Sequence, residues 1–236
     1  MTQPFRNVQP NHKCMMSKIE MVYCHDQLLL KTNSPYECLS NAIWNGGWVS
    51  ANHFLHWKVP LDFMDENPEN AIAKQVEMCG LVSDKPIVLL TAAKLTHASI
   101  HELEADNFSV FCLVTAGTSN AVRAGRTRQT YPSYIPGTVN ITVLIDAKMT
   151  QSAIVNAMIT ITEAKTAAIQ DAGIVDGANG LMATGTTTDA VVVGCSQAEC
   201  WPVIHRYAGT ATDIGHAIET IVYRSVLESV LTQQDK

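Results

Sequence analysis

Between residues 86 and 115 three β-prone runs follow one another with no helix between them. They span 86–91, 98–105 and 108–115, and Asp106-Asn107 separates the last two as a hairpin turn would. A doubly wound parallel sheet needs a crossover, usually a helix, between successive strands. Strands strung together in runs point instead to antiparallel pairing. The rest of the chain fits this reading. Residues 19–24 and 27–32 flank His25-Asp26 as a second hairpin, which Asn33-Ser34-Pro35 breaks. Gly46-Gly47 marks a further turn, 53–59 reads as a strand, and 139–146 alternates as one. Helical patterns are few: 67–78 behind an Asn-Pro start, a long one over 150–172, and a last one over 213–232. The expected fold class is therefore α+β: a single domain whose largely antiparallel β-sheet is layered with helices. Residues 1–17 are polar and read as a loose leader ahead of a domain spanning 18–236.

Composition narrows the class. Of the 236 residues 47% are hydrophobic and 16% charged, which suits one substantial core and argues against disorder. A formal net charge of -6 lacks the basic footprint of a nucleic-acid binder. No run of about 18 apolar residues is present, so no transmembrane helix is expected. The seven cysteines form no C-x-x-C pair and read as reduced thiols of a cytoplasmic protein. The histidines match no zinc signature, so no metal and no cofactor are expected. A homo-oligomer is compatible with the sequence.

Two residues are misfits. Asp189 follows the run Gly185-Thr186-Thr187-Thr188 and leads into an apolar stretch ending at Gly194. Strands are poor in aspartate, and an unpaired buried carboxylate is costly. Lys165 lies on the apolar stripe of the longest helix, within roughly 20° of Ile154 at about 100° per residue. Either it snorkels past the core edge or it pairs with a buried carboxylate, for which Asp189 and Asp146 are the natural candidates. Asp189 could be a structural ion pair or a general base acting on water or on a threonine hydroxyl.

Other segments offer supporting chemistry. Thr115 to Ala121 follows a strand and presents Gly117, Ser119 and Asn120 in a turn whose backbone N–H groups suit a ligand. As a serine-nucleophile elbow it is weak. The connection over 117–137 carries Arg123, Arg126 and Arg128 and is long enough to be functional. Gly209-Thr210-Ala211-Thr212-Asp213 opens the last helix, where free N–H groups favour an anion. His216 sits in its first turn, which suits a neutral acid–base imidazole.

The ordered set resembles one family, the CbiZ-type adenosylcobinamide amidohydrolases. The matching residues are Leu39-Ser40-Asn41-Ala42 with Gly46-Gly47, Thr91-Ala92-Ala93, Thr115-Ala116-Gly117-x-Ser119-Asn120-Ala121, and Gly137-Thr138-Val139-Asn140-Ile141. They continue with Thr162 to Ala168, Ala183 to Ala190, and Tyr207-Ala208-Gly209-Thr210. Thr187 departs from the pattern, where glycine is commoner, and so does His216, where an acidic residue is commoner. The resemblance covers nearly the whole chain from about residue 18 and makes 18–236 an amidohydrolase domain. It implies hydrolysis of the aminopropanol amide of adenosylcobinamide, giving adenosylcobyric acid for cobamide (vitamin B12) salvage, with a corrinoid substrate.

The residues themselves suggest the roles. Asp189, Lys165 and His216 are the expected catalytic set. Gly117, Ser119, Asn120, Asn140, Gly185, Thr186, Thr187, Thr188, Gly209 and Thr210 are expected to bind substrate. Trp44, Trp48, Trp57, Tyr131 and Tyr134 could line a wide corrin cleft or simply pack. Two other classes stay open: a corrinoid- or nucleotide-binding protein that hydrolyses nothing, and an amidohydrolase acting on another small amide.

Overall fold

The computed structural model describes residues 2–9, 11–16, 18–63, 67–126 and 138–235. Among the described residues thirteen strands and three α-helices follow one another in a single unit. The strands are β1 (His12–Met16), β2 (Ile19–Cys24), β3 (Gln27–Ser40), β4 (Gly47–Lys58), β5 (Ile87–Thr91), β6 (Ser99–Ala105) and β7 (Phe108–Ala116). They continue as β8 (Ala121–Val122), β9 (Val139–Asp146), β10 (Lys148–Met149), β11 (Gly185–Thr186), β12 (Ala190–Cys195) and β13 (Ile204–His205). The helices are α1 (Pro68–Met78), α2 (Gln151–Asp171) and α3 (Asp213–Thr232).

Nine strands form one sheet in the order β1-β2-β3-β12-β9-β7-β6, with β4 joined to β3 and β5 joined to β4. All its pairings are antiparallel except β12 with β9 and β4 with β5. The expected α+β class, with a largely antiparallel sheet and long helices near 150–172 and 213–232, is the observed one. The hairpin at His25-Asp26 turns through a left-handed His25 (φ 50). Asp106-Asn107 turns β6 into β7.

Period-2 alternation sorts the side chains into two cores. Val110, Cys112 and Val114 of β7, Ile141, Val143 and Ile145 of β9, and Val191 and Val193 of β12 face α2 and α3. The intervening residues Phe111, Leu113, Leu144 and Val192 point the other way. There they meet Met21, Leu30, Phe54 and Leu89 from the strands that the sheet curls round. A smaller cluster packs α1 on β4 and β5 through Leu55, Ile72, Val76 and Leu90. Every residue of β9 is buried, so its alternation is not the usual one of core against solvent. Its polar members are held inside: Asn140 donates to the Leu90 carbonyl at 2.8 Å, and Thr142 meets His56 Nε2 at 2.9 Å.

Two expectations need correction. The described part of 1–17 is packed rather than loose. Phe5 is fully buried in the inner core, the Thr2 carbonyl accepts from Ile100 N at 2.7 Å, and β1 pairs along β2. A single phenylalanine among polar neighbours leaves no periodic trace, which is why composition misreads the segment. Asn33-Ser34-Pro35, in turn, does not end a strand. β3 runs through it with a register shift against β4 between Lys31 and Tyr36, an irregularity that accommodates proline's missing N–H.

Candidate active site

The site forms where β11 turns into β12 and α2 passes over the turn. Asp189 is not inside the strand, as the sequence suggested, but immediately ahead of β12. Its backbone carbonyl accepts from Asn41 Nδ2 at 2.9 Å, and Asn41 Oδ1 takes the N–H of Val191 at 2.7 Å. That clamp aims the carboxylate inward. Lys165 reaches it from the buried face of α2, and its Nζ donates to Asp189 Oδ2. The two side chains are 8% and 13% exposed, so this is a buried ion pair. Of the two partners proposed for Lys165, Asp189 is the one it meets. Asp146 lies at the far end of β9, about 23 Å away at about 3.3 Å per residue. It binds Lys18, Ser196 and Trp201 instead. Those bonds outweigh burial and hold its carboxyl below the usual range.

Asp189 has three further donors. Thr186 supplies its N–H to Oδ2 at 3.1 Å and its hydroxyl to Oδ1 at 2.6 Å, and Val139 N–H donates to Oδ1 at 3.1 Å. Four donors match the roughly four lone-pair positions of a carboxylate. Gly185 completes the arrangement by what it lacks. A Cβ there would stand 2.3 Å from Asp189 Oδ2 and 2.9 Å from Lys165 Nζ. The glycine of the motif is therefore a steric requirement of the ion pair.

The other expected residues divide. Thr187, Thr188 and Asp189 line a cleft of about 260 Å³ with Asn41, Ile43 and Leu90. Asn120 lies beside them because β8 pairs with β11, and its Nδ2 donates to Thr187 Oγ1 at 2.6 Å. Its Oδ1 is buried without a hydrogen-bond partner among the described residues. Gly117 packs on Ala93 and donates its N–H to the Thr138 carbonyl, one residue from the Val139 N–H that binds Asp189; Ser119 is exposed. Asn140 is fully buried, donating to the Leu90 carbonyl and accepting from Thr138 Oγ1, so it braces the cleft wall.

Gly209, Thr210 and His216 are not brought to this cluster. Gly209 approaches Asn156 of α2, which is nine residues, or about 13 Å of helix rise, from Lys165. His216 lies on the exposed side of α3 and meets Glu219 Oε1 at 2.8 Å. The start of α3 uses one of its first-turn N–H groups in its own cap. Thr212 caps it by accepting from Gly215 N, and a Cβ at Gly215 would stand 2.0 Å from the Gly209 carbonyl oxygen.

Asn41 is the site residue that the reading of chemistry missed. Its motif was visible, but no local pattern says that an asparagine between β3 and β4 clamps a turn 148 residues later. Of the aromatic residues considered for a corrin cleft, Trp44 borders a groove next to the site and Trp57 packs edge-on against Phe63. Trp48 is exposed. Tyr131 and Tyr134, like Arg128 and Gly137, lie outside the described residues. Among the described residues no group of three or more His, Cys, Asp or Glu side chains is placed to hold a metal ion. No helix among them is long and apolar enough to cross a membrane.

A buried lysine–carboxylate pair, bonded by the Thr186 hydroxyl, thus stands beside a cleft on a curled, largely antiparallel sheet. The chain belongs to the adenosylcobinamide amidohydrolase family, whose model matches residues 12–236. A protein of Methanosarcina mazei named adenosylcobinamide amidohydrolase is 30% identical over 207 residues, spanning 85% of this chain and 92% of that one. One of the same name from Halobacterium salinarum is 30% identical over 198 residues, 79% of this chain and 77% of that one. An uncharacterised protein of Methanocaldococcus jannaschii matches at 30% over 213 residues, 80% of each chain. Among solved structures, the PH0078 protein of Pyrococcus horikoshii aligns with a TM-score of 0.45 at 8% identity, covering 96% of this chain and 80% of that one. A Burkholderia beta-aminopeptidase aligns with a TM-score of 0.44 at 11% identity and the same coverage.

Proposed function

We propose that this protein hydrolyses the amide joining aminopropanol to the corrin ring of adenosylcobinamide, releasing adenosylcobyric acid for cobamide salvage in the cytoplasm. The reading is carried by the Lys165–Asp189–Thr186 cluster at its cleft, in a chain of this family. An oxygen nucleophile adds to the amide carbon and passes its proton to Asp189, while the carbonyl electron pair moves onto oxygen. The Lys165 ammonium and the Asn120 amide are the nearby donors for that oxyanion. Collapse expels aminopropanol, which leaves with the proton returned from Asp189.

The nucleophile is water or the Thr186 hydroxyl. Because Asp189 already has four donors, water must displace one of them, whereas the Thr186 proton is in place at 2.6 Å. If Thr186 attacks, an ester forms on the protein and water then cleaves it. Asp189→Asn is expected to lower kcat at least about 100-fold while the melting temperature shows a folded protein. Near-normal turnover in that variant would remove Asp189 from the chemistry. Thr186→Val separates the nucleophiles: activity survives if water attacks, and no acyl-protein adduct should then appear by mass spectrometry.

The saturated carboxylate also favours a second reading, in which Lys165 and Asp189 are a structural pair in a corrinoid-binding protein. Incubation with adenosylcobinamide and mass detection of free aminopropanol decides between the two. Binding without release would support the second.

A further inference from the structure

The cleft beside Asp189 is too small for a macrocycle. At about 260 Å³ it takes a side-chain amide and its aminopropanol. Ile43 lines both this cleft and a larger groove of about 590 Å³ between the 41–45 segment and α1. The groove is walled by Ile43, Trp44, Ala73, Val76, Val82 and Pro86, an apolar set of which Ile43, Ala73 and Val82 are exposed and Val76 and Pro86 are buried. Ile43 is 39% and Val82 65% exposed, so the patch keeps apolar surface in water that a ligand would cover. Polar groups occur at its edge as Asn45, Glu69 and Lys85. An apolar face with a polar rim matches a corrin, whose ring is broad and apolar and whose periphery carries amides.

The groove is built rather than incidental. Asn45 and Lys85 both hold left-handed backbone (φ 56 and φ 45), and Asn45 Nδ2 donates to the Lys85 carbonyl at 2.6 Å. Val88 N donates to the Trp44 carbonyl at 3.3 Å, fastening the segment to β5. At its other end the same segment is clamped by Asn41 to the backbone of Asp189 and Val191. One short stretch of chain thus joins the groove to the reacting centre at a set spacing.

We propose that the groove between residues 41–45 and α1 seats the corrin macrocycle, Trp44 against it, while one amide side chain passes Ile43 into the Lys165–Asp189 cleft. The assignment rests on the corrinoid reading above. Its test uses Ala73→Glu and Val82→Asp, two exposed wall positions whose replacement leaves the cores intact. Dissociation constants for adenosylcobinamide are measured by tryptophan quenching, and KM for aminopropanol release is measured in parallel. Each variant is expected to weaken binding and raise KM at least tenfold, with an unchanged circular dichroism spectrum. Wild type that binds and hydrolyses the corrinoid, with both variants binding as tightly, overturns the groove assignment alone. Wild type that neither binds nor hydrolyses it overturns the functional reading and the groove assignment together.

Discussion

At Gly185 the space for a side chain is already occupied, since a Cβ would come within 2.3 Å of a carboxylate oxygen and 2.9 Å of an ammonium. Gly185→Ala must therefore push Lys165 and Asp189 apart. Misplacing reacting groups by about 1 Å can cost about 100-fold in rate. The expected outcome is a loss of that order in kcat/KM with a protein that still folds, measured by turnover beside thermal melting. His56 carries a different residue-scale prediction. It is fully buried against the hydroxyls of Thr142 and Thr115, no charge offsets its burial, and its pKa is pushed down to about 3. Unfolded, it titrates near 6.5. Below that pH the unfolded chain binds a proton that the folded one refuses. The stability present above pH 6.5 is therefore lost progressively toward pH 3, by about 2 kcal/mol at pH 5. Urea midpoints at pH 8 and pH 5 should fall further for wild type than for His56→Gln. Equal slopes would assign the acid sensitivity to other groups.

At the scale of elements, the two long helices begin as their sequences ask. Thr150 caps α2 by accepting from Ala153 N, and Thr212 caps α3 by accepting from Gly215 N. Both helices start within a residue of where the apolar period places them, and a hydroxyl ahead of such a period is a local start signal. Thr212→Ala is expected to cost about 1 kcal/mol, or a melting-temperature drop of about 2–4 °C, without loss of turnover. A large activity loss would instead return the start of α3, and His216 with it, to the active site. Alternation places the strand β9 over the observed 139–146, but it does not say what its polar face meets. In β9 the polar alternates Asn140 and Thr142 face a second buried layer, which no period-2 pattern distinguishes from a wet face. Lys165 was identified by the same arithmetic that defined α2, because an ammonium on an apolar stripe is visible from helical spacing alone.

For the whole molecule, the curl of the sheet is decisive. It brings β5 against β9, so that Leu90 accepts from Asn140 and also lines the cleft beside Asp189. It also encloses the inner core into which Phe5 inserts. Phe5→Ala is accordingly expected to destabilise the protein by about 3–5 kcal/mol, read from urea unfolding, though the segment's composition marks it as dispensable. No loss would mean that the first residues contribute no core.

The amino-acid sequence by itself determined the α+β class, the helix spans, the two misfits Lys165 and Asp189, and the family. Each is written in local spacing or in an ordered set of short motifs. Only the tertiary structure decided that Lys165 meets Asp189 and not Asp146, that Asn41 clamps the site, and that His216 and Gly209 stand apart from it. Those are contacts between residues 24 to 148 positions apart. Their pairing depends on sheet curl and strand order, which hydrophobic periodicity does not encode.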